Sequence, residues 1–298
     1  MNGDYMSKPA RAFLEQPAPE DLGPLSPETI EAYRKMAKDE FLPRAERAVQ
    51  AHGVTVAEVE IGGVPCLEIL PRGEPIGTVL YCYGGGYVTG SAREDLIVSA
   101  GLARHSGARV VAVQYRLAPE HPYPAAIDDG AAVYDVLSRE AAPFAIAGES
   151  AGGNMALALM QRAKANGLPM PVTAVLLSPW CDLTHGGDSL HANDGRDPTL
   201  DLAFVEAAAA HKKAHVLSRI TASTVDAFQG NERRAIIYDL TSRRPGKPHE
   251  DHRRLNVSLT RAQDLLVLIG SRAFVRKDEE NPYYASLQRW PAAATIAW

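Results

Sequence analysis

The feature that most restricts this fold is one short string, Gly148-Glu149-Ser150-Ala151-Gly152. It lies between a brief apolar run, 144–147, and a helix-forming stretch, 154–165. A G-x-S-x-G string takes its meaning from that strand-to-helix position. The turn it makes is sharp, and small residues are needed on both sides of the serine because neighbouring backbones pass close. The hydroxyl is then expected to project above a sheet, and the Ala151 amide to point toward a developing oxyanion. A glycine-rich helix start also arises for packing reasons alone, so the rest of the chain has to supply the context.

That context is an alternation of strand and helix signals. Residues 54–61, 78–82, 110–114, 144–147 and 172–177 read as strands, the first closed by a Gly62-Gly63 turn. An amphipathic stretch running to about residue 50, and the stretches 95–105, 125–139 and 154–165, read as helices. Ser26-Pro27-Glu28-Thr29 can start the first of these, with serine as the cap and proline at the first position. Such alternation predicts an α/β fold with a mainly parallel sheet covered by helices on both faces. A second glycine run, Tyr83-Gly84-Gly85-Gly86, follows the strand 78–82, where glycines let backbone N–H groups turn toward a substrate oxygen. A flexible turn is the plainer explanation for that run alone. The two features together, in this order, argue against it.

Five strings carry a specific resemblance. They are Tyr83-Gly84-Gly85-Gly86-Tyr87, Tyr115-Arg116-Leu117-Ala118-Pro119-Glu120-His121-Pro122-Tyr123-Pro124, Gly148-Glu149-Ser150-Ala151-Gly152-Gly153-Asn154, Ser178-Pro179-Trp180-Cys181-Asp182-Leu183-Thr184 and Asp197-Pro198-Thr199-Leu200. In these, residues of about 28–205 resemble the hormone-sensitive-lipase family of α/β-hydrolase esterases. The resemblance implies Ser150 as nucleophile and the amides of Gly85, Gly86 and Ala151 as oxyanion hole. It also implies a helical cap built partly from residues 28–50, and small acyl esters as substrates. One departure is visible: the family usually has histidine where Tyr83 stands.

A serine hydroxyl needs a base to take its proton, and the base needs an orienting acid. In this fold the order is serine, acid, histidine. The sequence leaves the family pattern before those partners are due. The stretch 265–271 resembles the strand that should precede the acid, yet Ala273 stands where a carboxylate is expected, and no histidine follows His252. A substitute set in the required order exists in Asp239, His249 and His252, separated by a basic loop rather than by a helix and strand. His185 and His191 also follow Ser150, in a turn-rich loop that reads as surface.

Charge changes sign along the chain. Residues 1–210 hold 16 Lys and Arg against 27 Asp and Glu, whereas residues 211–298 hold 15 against 9. The basic part contains Thr224-Val225-Asp226-Ala227-Phe228-Gln229-Gly230-Asn231-Glu232 and Arg253-Arg254-Leu255-Asn256-Val257-Ser258-Leu259-Thr260-Arg261-Ala262. Over about 218–272 these resemble motifs V and VI in the second RecA-like domain of superfamily 1 helicases. That resemblance implies a nucleotide-binding remnant in Gln229, Glu232 and Arg261. Phosphoryl transfer also needs a phosphate cradle, a lysine and a carboxylate-held Mg²⁺. The sequence has no G-x-x-x-x-G-K-[ST] string, so ATPase activity is not expected.

The expected organisation is a truncated α/β-hydrolase domain over 1–205, a helical junction over 206–217 and a partial helicase-like segment over 218–298. Three cysteines, none in a C-x-x-C pair, indicate neither a disulfide framework nor a metal site. A polar start and the lack of a long apolar stretch predict a cytoplasmic protein with no membrane partner and no cofactor. Three functional readings stay open: a carboxylic-ester hydrolase impaired by its replaced end, a nucleotide- or nucleic-acid-binding module in the basic segment, and a non-functional chimera.

Overall fold

The structure, a computed structural model, describes residues 24–140, 143–181 and 202–210, the single residues 12, 22, 183, 191 and 194, and the backbone of strands 233–239 and 262–269. The first described helix, α1 (Ile30–His52), begins later than its cap signal suggests. Thr29 is its N-cap, with no side-chain cap bond. Ser26 instead caps the turn before it, where Ser26 Oγ accepts the amides of Glu28 and Thr29 at 3.3 Å each. At the other end Gly53, with φ 60°, closes the helix by donating to the carbonyls of Val49 and Gln50.

Strands β1 (Thr55–Ile61) and β2 (Val64–Leu70) form an antiparallel hairpin around Gly62-Gly63. β2 was not predicted, because Pro65 and Glu68 dilute its apolar run. β2 pairs antiparallel with β4 (Arg109–Val113). From there the sheet is parallel: β4, β3 (Thr78–Cys82), β5 (Phe144–Glu149) and β6 (Ala174–Leu177) lie side by side, giving the order β1-β2-β4-β3-β5-β6. Burial does not alternate along the central strands: every residue of β3 is buried, as expected for a sheet covered on both faces. Leu80, Ile146 and Leu176 are fully buried, each contributing roughly 1.5–3 kcal/mol to burial.

Three helices connect the parallel strands: α2 (Leu96–Ser106), α3 (Ala125–Leu137) and α4 (Ala151–Ala165). α1 packs against α2, and α3 against α4. Of the helical junction expected over 206–217, residues 206–210 lie in α5 (Leu202–Ala210), and 211–217 lie outside the described residues. Beyond it, β7 (Arg233–Asp239) and β8 (Ala262–Ile269) pair in parallel as a two-stranded sheet, β8 overlapping the strand-like stretch at 265–271.

Candidate active site

Parallel strands ending side by side bring the two glycine-rich strings together. Ser150 stands between β5 and α4 with φ 51° and ψ −116°. That conformation costs an L-residue about 1–3 kcal/mol and persists only where the surroundings over-determine it. Here the Ser150 amide donates to Leu177 O at 2.9 Å, and its carbonyl accepts the amides of Asn154 at 3.2 Å and Trp180 at 2.9 Å. The end of β6 thus clamps the turn. The small residues of the string are a steric requirement. A Cβ on Gly148 would strike the Gly152 carbonyl, one on Gly152 would strike the carbonyls of Cys82 and Tyr83, and one on Gly153 would come within 2.7 Å of Pro179 Cβ. Ala151, fully buried, opens α4, so its amide is among the first-turn donors that lack an intrahelical partner.

The loop after β3 is turned by three consecutive residues of positive φ: Gly85 at 104°, Gly86 at 62° and Tyr87 at 64°. The Gly85 carbonyl is occupied, accepting from Val88 N at 3.0 Å, Thr89 N at 2.9 Å and Thr89 Oγ1 at 3.1 Å. Among the described residues, the amides of Gly85 and Gly86 donate to no acceptor. Both are therefore available to an incoming oxygen.

Tyr83 anchors the start of the glycine loop. Its ring stacks on Tyr115, with centroids 4.1 Å apart and planes within 9°. Each tyrosine donates to the other's carbonyl, Tyr115 to Tyr83 O at 2.8 Å and Tyr83 to Tyr115 O at 3.3 Å. Burial raises both phenols well above their ordinary range, which keeps them neutral donors. A second chain joins the loop to the helix: Tyr87 donates to Asn154 Oδ1 at 2.6 Å, and Asn154 Nδ2 donates to Trp180 O at 2.8 Å. The roles of Tyr87, Tyr115 and Asn154 emerge only from the structure. All three lie inside the quoted strings, the only sequence signal that singles them out.

Beneath the loop sits an acidic group. Tyr81 donates to Asp95 Oδ2 at 2.6 Å. Burial lifts Asp95 to about 7; the charges of Glu149 and Glu94 add to this, and the Tyr81 hydrogen bond opposes it. Burial also lifts Glu149, whose carboxylate lies so close to Gly84 that a Cβ there would strike it. Above the loop, α1 and α5 form a lid of apolar side chains. A Cβ on Gly86 would come within 3.3 Å of Ala208 Cβ, 3.5 Å of Val88 Cγ2 and 3.7 Å of Phe204 Cε1, and Phe204 packs on Tyr33 with ring centroids 5.6 Å apart. Leu25, Ile30, Val88, Ala118 and Ala208 are buried together at this contact.

The remaining predicted residues fall elsewhere. Asp239 ends β7, which is described in backbone only. His249, His252, Gln229, Glu232, Arg261 and His185 lie outside the described residues. His121 and His191 are exposed. Among the described residues, no hydrogen bond reaches Ser150 Oγ.

A family profile for the alpha/beta hydrolase fold matches residues 79–238, more than half of the chain. The chain belongs to the α/β-hydrolase fold family. Among its relatives, an acetyl-hydrolase of Streptomyces hygroscopicus is 36% identical over 174 residues, which is 57% of this chain and 57% of that protein. An esterase of Acinetobacter venetianus is 34% identical over 161 residues, 53% of each. This α/β-hydrolase thus spans about half the length of the curated relatives it matches. Solved structures extend the likeness. EstE5, whose crystal was soaked with p-nitrophenyl butyrate, superposes with a TM-score of 0.63 at 27% identity, covering 88% of this chain and 85% of that one. A hormone-sensitive lipase from a metagenome library gives 0.56 at 26%, covering 87% and 96%. Among the described residues no helix is long and apolar enough to cross a membrane.

Proposed function

We propose that this α/β-hydrolase is a carboxylic-ester hydrolase of the hormone-sensitive-lipase type, in which Ser150 attacks small acyl esters. The amides of Gly85, Gly86 and Ala151 receive the negative charge that develops on the carbonyl oxygen. The observation carrying this reading is the strained Ser150 turn, with φ 51°, meeting a loop whose Gly85 and Gly86 amides donate to nothing else among the described residues. Preorganised donors of this kind often contribute more to acyl-transfer catalysis than any other group, about 2.7–4 kcal/mol for a single one. The relatives named acetyl-hydrolase and esterase support the substrate class.

Turnover is slow in this proposal, because the family's acid and histidine are absent; Asp239 with His249 or His252, across a basic loop, are the candidates for a substitute relay. The test is cleavage of p-nitrophenyl acetate by the wild type, Ser150→Ala, His249→Ala and His252→Ala. Loss of the Ser150-dependent rate in one histidine variant would identify the base. Unchanged rates in both would eliminate the relay.

A second reading concerns residues 218–298, as a nucleotide- or nucleic-acid-binding module. It is supported by the parallel pairing of β7 with β8 as a sheet of their own, flanked by the helicase-like strings. Weak binding to a labelled oligonucleotide should fall with added salt and with Arg253→Ala plus Arg261→Ala; equal affinity in that double variant would reject it. Neither activity, together with poor thermal cooperativity, is the outcome of the chimera reading.

A further inference from the structure

All five N–H donors of the Arg34 guanidinium are occupied. Nε donates to Val88 O at 3.0 Å. Nη2 donates to Ala118 O at 3.0 Å and to Glu120 Oε2 at 2.8 Å. Nη1 donates to Glu120 Oε1 at 2.8 Å and to Glu31 Oε1 at 2.7 Å. Two of these five bonds end on main-chain carbonyls of separate loops. Those loops are already joined by the Ala118 amide, which donates to Tyr87 O at 2.9 Å. Arg34 Nη2, Ala118, Tyr87, Val88 and Arg34 Nε therefore close a ring. Val88 is fully buried, and its amide is one of the donors to the Gly85 carbonyl, beside the amide and hydroxyl of Thr89. One side chain of α1 thus fixes the far end of the glycine turn, while Glu120 fixes the plane of the fork. A solvent-exposed ion pair alone contributes little, about 0–1 kcal/mol. The Arg34 side chain is only 21% exposed, and its carbonyl contacts are what tie it to the loop.

We propose that Arg34 is a positioning residue of the ester-hydrolase site, holding residues 85–88 so that the Gly85 and Gly86 amides stay turned toward the reacting oxygen. This rests on the ester-hydrolase reading given above. Arginine is required because lysine offers three donors on a point charge and cannot span both carbonyls and the carboxylate. The cap helix is thereby coupled to catalysis, since moving α1 away from the loop undoes the turn.

The experiment combines amide hydrogen exchange over residues 84–90 with p-nitrophenyl acetate kinetics in wild type, Arg34→Lys and Arg34→Met. Both variants are expected to speed exchange in 84–90 at least about 10-fold while leaving α2 at its wild-type rate. The Ser150-dependent kcat is expected to fall about 10-fold or more with KM within about twofold, the pattern of an interaction made only in the transition state. Unchanged exchange in a folded Arg34→Lys variant would overturn the proposal, and so would faster exchange with unchanged kcat. A folded wild type with no Ser150-dependent cleavage would instead defeat the ester-hydrolase reading. In that case the exchange data alone decide whether Arg34 holds the loop.

Discussion

Replacing Gly152 with alanine sets two effects of similar size against each other. Gly152 lies in the first turn of α4, and alanine is the better helix former by about 1 kcal/mol in a helix interior. Propensity therefore predicts a more stable protein. The new Cβ, however, would collide with the carbonyls of Cys82 and Tyr83, which belong to β3 and the loop following it. These are backbone atoms of the central sheet and cannot swing aside as a side chain can. Overpacking in a close-packed core costs about 1–3 kcal/mol and sometimes more, and rigid opponents place this site at the upper end. The net expectation is a loss of about 2 kcal/mol. At about 2–4 °C per kcal/mol for a domain of this size, the midpoint of thermal unfolding should drop by about 4–8 °C. Gly130→Ala in α3 is the matched control. Its Cβ would meet Leu159 Cδ1 at 3.0 Å and Met155 Sδ at 3.2 Å, both ends of side chains that can shift. Thermal denaturation followed by circular dichroism should leave Gly130→Ala within about 2 °C of wild type, on the same scale. A Gly152→Ala protein as stable as wild type would refute the claim that close backbone approach fixes glycine at this turn.

Two further outcomes are expected. Tyr115→Phe removes the donor to Tyr83 O and leaves a buried carbonyl unpaired, at a cost of about 1–3 kcal/mol; unchanged stability would show that the stacked ring alone braces the loop. Folding raises Asp95 from about 3.8 to about 7. Within that window the native chain binds a proton that the unfolded chain releases, so stability falls as pH rises through it. The melting temperature at pH 5 should exceed that at pH 7.5 by a wider margin in wild type than in Asp95→Asn; equal margins would show that Asp95 does not set this dependence.

Much of this was legible in the chain because local chemistry and global topology agree. The run at 78–82 is strand in every residue and buried throughout, so its composition alone located β3. The Ser150 string announced a turn that only glycine neighbours permit, and the structure shows which carbonyls impose that rule. What stayed hidden was non-local. β2 acquires strand structure by pairing with β1 and β4 across an interrupted apolar pattern. Arg34 lies 54 residues from Val88 and 86 from Glu120, and no spacing rule connects positions that far apart. Tyr83 stood out as a departure, yet its reciprocal bonding with Tyr115 depends on two adjacent strand ends meeting in space.

Whether Ser150 is a nucleophile is decided by the rate of p-nitrophenyl acetate cleavage by purified wild type and Ser150→Ala under identical conditions. A slow release above buffer that vanishes in the variant is the expected result. Equal rates from two equally folded proteins would mean that the hydroxyl at this turn attacks nothing.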